Sequence, residues 1–327
     1  MSNNLKKILI CGLGSIGRRY LRIIKNNWPE LEVAVLRSGY GPKCEELKLI
    51  DYQHLNIEDS IKWKPDAVII SSPANIHFDQ AIAFGSSGIP CLIEKPLGTS
   101  NESFEKWKKL RHLSKSVPML LGYIYRHDPC AELIKNRLNK NILGTIVEAD
   151  FHCGSWLPKW RQDIDYLKSV SAKKELGGGV LLELSHEIDI ANWFLGPIKI
   201  IFANLKSSGL LPIDVEDRAF LIAENDKGVL ISIRLNFCSE PSTRKIEIRG
   251  EKGKIFWDVI HGKLEISNEK HDIFQNNLNI DRDSLFLIQI KHFFDCIFGK
   301  HKPKCSVSEG MYILELIQKA KKIYQLT

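Results

Sequence analysis

The hexapeptide Gly12-Leu13-Gly14-Ser15-Ile16-Gly17 constrains this 327-residue chain more than any other feature. It directly follows a β-rich apolar run at 7–11 and opens a stretch of helical period at 15–26. Glycines spaced in this way between a strand and a helix build a turn that cradles phosphate. Gly12 permits the tight turn, Gly14 lets the backbone approach a pyrophosphate, and Gly17 lets the helix lie close to the strand. Phosphates then sit on free N–H groups at the positive end of the helix dipole, around Gly14, Ser15 and Ile16.

The rest of the first 122 residues repeats that grammar. Apolar β-like runs at 32–36, 67–71, 90–93 and 118–122 alternate with helical periods at 75–87 and 101–115. Such alternation predicts β-α-β units and a doubly wound parallel sheet with helices on both faces. After Gly122 the pattern changes. Helices near 129–139 and 180–195 precede six β-like segments between 198 and 267, separated by turns such as Asn225-Asp226-Lys227-Gly228, and 142–153 reads as a further strand. The expected fold class is therefore α/β: a Rossmann dinucleotide-binding domain over 1–122, then an α+β domain over 123–327 with a large, mostly antiparallel open sheet. Helical period returns at 284–298 and 306–324, and the last helix can pack on either domain. The polar segment 271–283 reads as a mobile loop.

Composition narrows the partners. The longest uninterrupted apolar run is five residues, 219–223, against the ~20 that a membrane-spanning helix needs. The first residues lack the longer apolar centre of a secretory signal, so the expectation is a cytoplasmic protein with no membrane partner. The charge of +7 comes from basic residues spread beside acidic ones, a pattern that does not favour nucleic acid and is met by a phosphate-bearing small molecule. Eight cysteines, at 11, 44, 91, 130, 153, 238, 296 and 305, form no Cys-x-x-Cys pair and no Cys/His cluster. No metal site is expected, and free buried thiols are.

A site specific for NAD usually ends its second strand with a carboxylate for the ribose 2′-hydroxyl. Here Arg37 and Ser38 stand at that point. Arg37 can pair with a 2′-phosphate and Ser38 can donate to it, which leans the cofactor toward NADP over NAD. Alternatively, Arg37 is a solvated loop cation that stacks on adenine, and either dinucleotide fits.

Two further constellations carry chemistry. Glu94-Lys95-Pro96 follows the strand 90–93, at the carboxyl edge where open α/β sheets bind ligands. A lysine there can stabilise oxyanion character on a substrate oxygen, unless it is simply a solvated charge. The second runs Gly177-Gly178-Gly179-Val180-Leu181-Leu182-Glu183-Leu184-Ser185-His186-Glu187-Ile188-Asp189. Read as one helix, it places Glu183, His186 and Glu187 on one face. An imidazole beside carboxylates suits exchange of a hydroxyl proton, assisted by Glu183 or Asp189. The plainer reading is a helix-capping histidine among solvated acids.

The 12–17 turn, Ser72-Pro73-Ala74-Asn75-Ile76-His77, Glu94-Lys95-Pro96, Gly122-Tyr123-Ile124-Tyr125-Arg126 and 177–189 occur in this order. Over essentially its whole length the chain resembles the Gfo/Idh/MocA oxidoreductases, which include glucose–fructose oxidoreductase and inositol dehydrogenase. The resemblance implies an active site between the two domains, Lys95 and His186 as catalytic pair, and homodimer or homotetramer contacts through the second domain's sheet. It also implies cofactor contacts at Ser72, Pro73, Asn75, His77, Glu94 and Lys95 besides the turn, and substrate contacts at Lys95, Tyr123, Arg126 and His186. Family members commonly carry Asp four residues before the histidine. This chain has Leu182 there, with Glu183 placed to take the role.

The stretch from Trp156 to Tyr166 looks like a subgroup associated with sugars destined for surface polysaccharides. Trp156 and Trp160 offer faces for sugar C–H surfaces, with Asp165 and Tyr166 beside them, although a structural aromatic clamp fits the same residues. The function expected is NAD(P)-dependent hydride transfer to or from a secondary hydroxyl or ketone of a sugar, sugar acid or nucleotide-linked sugar. Two rivals share the scaffold: a glycosidase-like enzyme working by transient oxidation and elimination, and a dinucleotide-sensing regulator without activity.

Overall fold

The computed structural model describes residues 5–39, 44–99, 102–161, 165–268, 271–277 and 280–326, the side chains of 271–277 and 326 excepted. Two compact units are present: Met1–Ile124 with Arg282–Tyr312, and Tyr125–Asp281 with Ile313–Thr327.

The first unit runs β1 (Lys7–Cys11), α1 (Ser15–Asn27), β2 (Glu32–Leu36), β3 (Tyr52–His54), α2 (Ile57–Lys62), β4 (Ala67–Ile70), α3 (His77–Ser86), β5 (Cys91–Ile93), α4 (Phe104–Leu113) and β6 (Met119–Leu121). All six strands are parallel, in the order β3-β2-β1-β4-β5-β6. Ile8, Leu9, Ile10 and Cys11 are fully buried, as is every residue of β4. Strands covered on both faces read as unbroken apolar runs, which is why the sequence shows no alternation here. The strand order reverses between β1 and β4, so a crevice opens at their carboxyl ends.

β3 and α2 escape the sequence pattern. Three residues, Tyr-Gln-His, at the sheet's edge are too few and too polar to show a period. The six-residue α2 is announced only by its cap, Asn56, which accepts the Asp59 N–H at 2.8 Å.

The second unit holds α5 (Pro129–Asn139), β7 (Ile146–Gly154), α6 (Val180–Glu183), α7 (His186–Leu195), β8 (Ile198–Lys206), β9 (Arg218–Asn225), β10 (Leu230–Asn236), β11 (Thr243–Gly250), β12 (Gly253–Asp258), β13 (Lys263–Asn268) and β14 (His271–Asn277). The sheet order is β14-β13-β12-β11-β7-β10-β9-β8, antiparallel throughout except for β7 beside β10. Helices α6 and α7 cover one face. The opposite face is open and carries Val147, Ile201, Phe202, Phe220 and Leu230 exposed. On edge strand β8 the register slips between Ile200 and Phe202, so Ile201 and Phe202 both turn outward. A bulge at an edge also disfavours strand addition.

Two expectations need correction. The helix expected over 180–195 is two helices, broken by a turn at Leu184 and Ser185. The loop expected over 271–283 contains β14, because the open edge of β13 offers backbone partners to a segment that its polar side chains would not mark as a strand; residues 278 and 279 lie outside the described residues. Of the tail, α8 (Arg282–Ile297) belongs to the first unit, and α9 (Val307–Leu326) is shared between the units at Tyr312 and Ile313. Among the described residues no helix is long and apolar enough to cross a membrane.

Candidate active site

Gly12 lies in the left-handed region (φ +83°), and its N–H donates to Leu36 O at 2.9 Å, which draws the turn against the end of β2. A Cβ on Gly12 would fall 2.9 Å from Ser72 Cα, and one on Gly17 only 2.1 Å from Gly12 O. Both glycines are therefore required by the protein's own packing. Gly14 differs. It caps α1 in extended conformation, and a Cβ there would meet nothing within 4 Å. As the N-cap, Gly14 brings no side chain to α1, and the first turn contains no acid. A helix end of this kind can hold an anion on its free N–H groups.

At the switch point Ser71 Oγ lies 3.0 and 3.2 Å from the carbonyl oxygens of Cys11 and Gly12, tying β4 to the turn. Arg37, half-buried, and Ser38, exposed, follow β2, with the Arg37 N–H held by His54 O at 3.1 Å. Ser72 donates to Gln80 Oε1 at 2.6 Å, while Pro73 and Asn75 stay exposed on the turn after β4.

Lys95, half-buried, follows β5 between two buried anchors. On one side His77, 1% exposed, sets Nε2 2.8 Å from Ser72 O and Nδ1 2.9 Å from Pro96 O. Burial pulls its pKa down, with the two carbonyls opposing. On the other side Glu94 faces the hydroxyl of Tyr20 from α1. His77 and Glu94 are thus enclosed and brace the loop that carries Lys95, a correction to their expected direct contact with cofactor. Tyr123, 1% exposed, is likewise buried. The thiols of Cys11 and Cys91 are buried and pushed up, so neither supplies a nucleophile.

In the second unit His186 begins α7 and is 9% exposed. The Tyr125 ring meets it edge-on at 5.0 Å. Arg244, from β11, lies 4.6 Å over the same Tyr125 ring, donates to the Tyr125 hydroxyl and sets Nε 2.7 Å from Glu187 Oε1. One guanidinium therefore fixes both neighbours of the histidine. Sequence reasoning missed Arg244, although a signal existed: it is in phase with buried Ile246 and Ile248, a cation on the inward face of a strand.

Arg126 needs correction. It is fully buried, with Nη2 2.7 Å and Nε 3.1 Å from Asp189, so it holds α7 in place and offers nothing to a substrate. In the 156–166 stretch, Trp160 donates to Ser155 Oγ at 2.6 Å and packs edge-on against Phe237. Asp165 accepts the Leu167 N–H at 3.1 Å. Trp156 and Tyr166 are half-buried, and 162–164 lie outside the described residues. The cavity under this loop, lined by Trp160, Tyr166 and Ser171 among others, measures about 10 Å³, the room of a single water.

Residues 6–123 match the NAD-binding Rossmann fold of the Gfo/Idh/MocA oxidoreductase family, and 135–323 match its C-terminal alpha/beta domain. The chain belongs to the Gfo/Idh/MocA oxidoreductases. Inositol 2-dehydrogenase 2 of Saccharopolyspora erythraea is 29% identical over 237 residues, 69% of this chain and 65% of that protein, just under two thirds of its length. D-glucoside 3-dehydrogenase of Escherichia coli is 24% identical over 281 residues, 78% of this chain and 76% of that one. The solved structure of levoglucosan dehydrogenase with NADH and levoglucosan has a TM-score of 0.83 at 17% identity, covering 98% and 97% of the two chains. That likeness is one of fold.

Within this Gfo/Idh/MocA oxidoreductase, the stretch expected to carry Glu183 and His186 on one helix is broken between α6 and α7. Glu183 ends α6 and His186 begins α7, so the one-face relation of a continuous helix does not apply to the pair. Glu187, the second residue of α7, is tied to Arg244.

Proposed function

We propose that this oxidoreductase acts on a secondary hydroxyl or ketone of a sugar, sugar acid or nucleotide-linked sugar, using NADP or NAD held at the 12–17 turn. The observation that carries the reading is the open positive end of α1 at Gly14, together with a lysine braced on both sides at the carboxyl edge of the same sheet. The named relatives act on inositol, glucoside and levoglucosan, which supports the substrate class. Bound dinucleotide supplies hydride exchange at its nicotinamide.

The protein does the rest. Backbone N–H groups of Ser15 and Ile16 hold the pyrophosphate. Arg37 and Ser38 take a 2′-phosphate, the basis for preferring NADP. Lys95 donates to the reacting oxygen and stabilises negative charge developing there. His186 exchanges the hydroxyl proton, its ring direction set by Tyr125 and by the Glu187–Arg244 pair. Free thiols at all eight cysteines accord with work in the reducing cytoplasm. The exposed sheet face of the second unit accords with a homodimer or homotetramer.

Purified protein is mixed with NAD⁺ or NADP⁺ and a panel of free, acidic and nucleotide-linked sugars, and reduced nicotinamide is followed by absorbance. Turnover is expected with at least one sugar class, and Lys95→Met is expected to lower it at least about a hundredfold to a thousandfold while reduced dinucleotide still binds within a few fold. A flat trace across the panel, or full activity in Lys95→Met, overturns the reading. Glycoside cleavage without net absorbance change assigns the elimination chemistry instead.

A further inference from the structure

Six of the chain's seven surplus positive charges come from two short stretches. Residues 104–116 and 295–305 hold eight Lys or Arg against two carboxylates, Glu105 and Asp295, and everything outside them is balanced to within one charge. The first stretch is α4 with the turn that leads to β6, and the second is the end of α8 with its connection to α9. Far apart in sequence, they meet within the first unit along a cavity of about 450 Å³.

Lys115, Lys300, His301 and Lys302 stand around this cavity, and Val117, Met119 and Cys296, all buried, make its apolar floor. No Asp or Glu is among the described residues that line it. The connection that carries the second set of lysines is anchored. His292 on α8 accepts the Lys304 N–H at 3.2 Å, His301 stacks on the His292 ring, and Cys305 O accepts the Leu121 N–H of β6 at 3.0 Å. The cavity lies where β6 begins, whereas the 12–17 turn and Lys95 follow the far ends of β1 and β5. In a parallel sheet those are opposite edges.

The fold itself does not use up this charge. α4 and α8 both end here, but the negative ends of two helices amount to about one charge between them. The carbonyls of Arg111 and Leu113 at the end of α4 already accept the hydroxyls of Ser114 and Ser116, at 3.0 and 3.3 Å. Two of the lysines are paired, Lys106 with Asp79 and Lys300 with Asp295. A surplus of several charges is left, and its self-repulsion is relieved when an anion joins it. The volume falls within the roughly 300–1,000 Å³ of small-molecule sites, more than a lone phosphate fills. An apolar floor under a basic rim fits a molecule with phosphates at one end and a ring at the other.

We propose that this cavity is a second anion site, which binds a small molecule carrying two or more phosphates on an apolar ring, the chemistry of a nucleoside diphosphate. Lys115 and Lys302, one from each stretch, take the phosphates, and Val117 and Met119 take the ring. The ligand reaches neither Lys95 nor the 12–17 turn, so the site stands apart from the reaction proposed above.

ADP and inorganic pyrophosphate are the probes, titrated by calorimetry into the intact protein with NADH in excess so that the 12–17 turn is filled. ADP is expected to bind once per chain, more tightly than pyrophosphate. Lys115→Ala combined with Lys302→Ala should weaken ADP at least about tenfold, the weight of one charge-assisted bond. Lys108→Ala combined with Lys109→Ala removes the same charge from α4 outside the cavity and, through solvent screening, should cost less than about threefold. Unchanged melting shows that both variants are folded.

No binding of ADP, or equal losses from the two lysine pairs, overturns the proposal, because charge alone then holds any anion. Pyrophosphate that binds as tightly as ADP overturns the part played by the apolar floor. An RNA homopolymer that displaces ADP with an affinity growing with its length assigns the face to a polymer instead. If NADH does not bind, the functional reading falls, and the two pairs compared without it still decide this site.

Discussion

Arg126 and Asp189, 63 residues apart in sequence, form an ion pair sealed from solvent, with Nη2 2.7 Å from Oδ1 and at most 1% of either side chain exposed. Removing one member strands a buried charge. Asp189→Leu should destabilise the protein by about 3–5 kcal/mol, and Arg126→Met combined with Asp189→Leu should recover most of that. Urea unfolding of the single and double variants checks it, and a double variant as unstable as the single one would contradict it.

Acid should weaken the fold before the carboxylates titrate. The pKa values of His77, His152 and His292 are all lowered, chiefly by burial. Each binds a proton more readily when unfolded, so the stability they contribute is full above the ordinary histidine range and is lost as pH falls through it. Glu94 acts in the opposite sense. With its pKa raised, its contribution is present at low pH and is lost as pH rises through the folded value. Urea midpoints should therefore fall between pH 7 and pH 5, and His77→Gln should reduce the slope, by at most about 1.4 kcal/mol per pH unit for its one proton.

Cofactor choice should turn on one cation. Arg37→Asp removes a partner for a 2′-phosphate and adds a repelling charge. NADPH affinity should fall about tenfold to a hundredfold, the weight of a charge-assisted bond of roughly 1.5–3 kcal/mol. NADH affinity should hold or improve, as fluorescence titration of both dinucleotides would show.

Phe202 and Phe220, each 40% exposed, face each other from neighbouring strands with ring centroids 6.3 Å apart. Phe202→Glu with Phe220→Glu should break a homo-oligomer into smaller species by light scattering while leaving the melting temperature nearly unchanged. A mass unaltered by the pair would place the contact elsewhere.

Much of this molecule was legible before its structure. The parallel sheet showed itself because β1 and β4 are buried on both faces and so cannot alternate, and the glycine turn because its spacing has one mechanical use. What stayed hidden depended on partners remote in sequence. Nothing near Arg126 announces that Asp189 encloses it, and nothing near Arg244 on β11 announces that it meets Glu187 on α7. The helical period ran unbroken across Leu184 and Ser185, since apolar spacing reports burial and both halves are buried. β14 was invisible for the converse reason: a backbone edge, not a side-chain pattern, makes it a strand.

The three glycines of the turn are not alike. Two are demanded by the chain that contains them, at Ser72 and at Gly12 O, whereas a side chain on the third would meet nothing within 4 Å. Gly14→Ala at this helix cap should cost less than about 1 kcal/mol, yet its methyl group would stand on the backbone to which the proposed function brings a pyrophosphate. The substitution is an allele that separates presence from performance. A cell carrying it would hold the protein at ordinary abundance, folded and blind to dinucleotide, and any phenotype would report a missing reaction rather than a missing polypeptide.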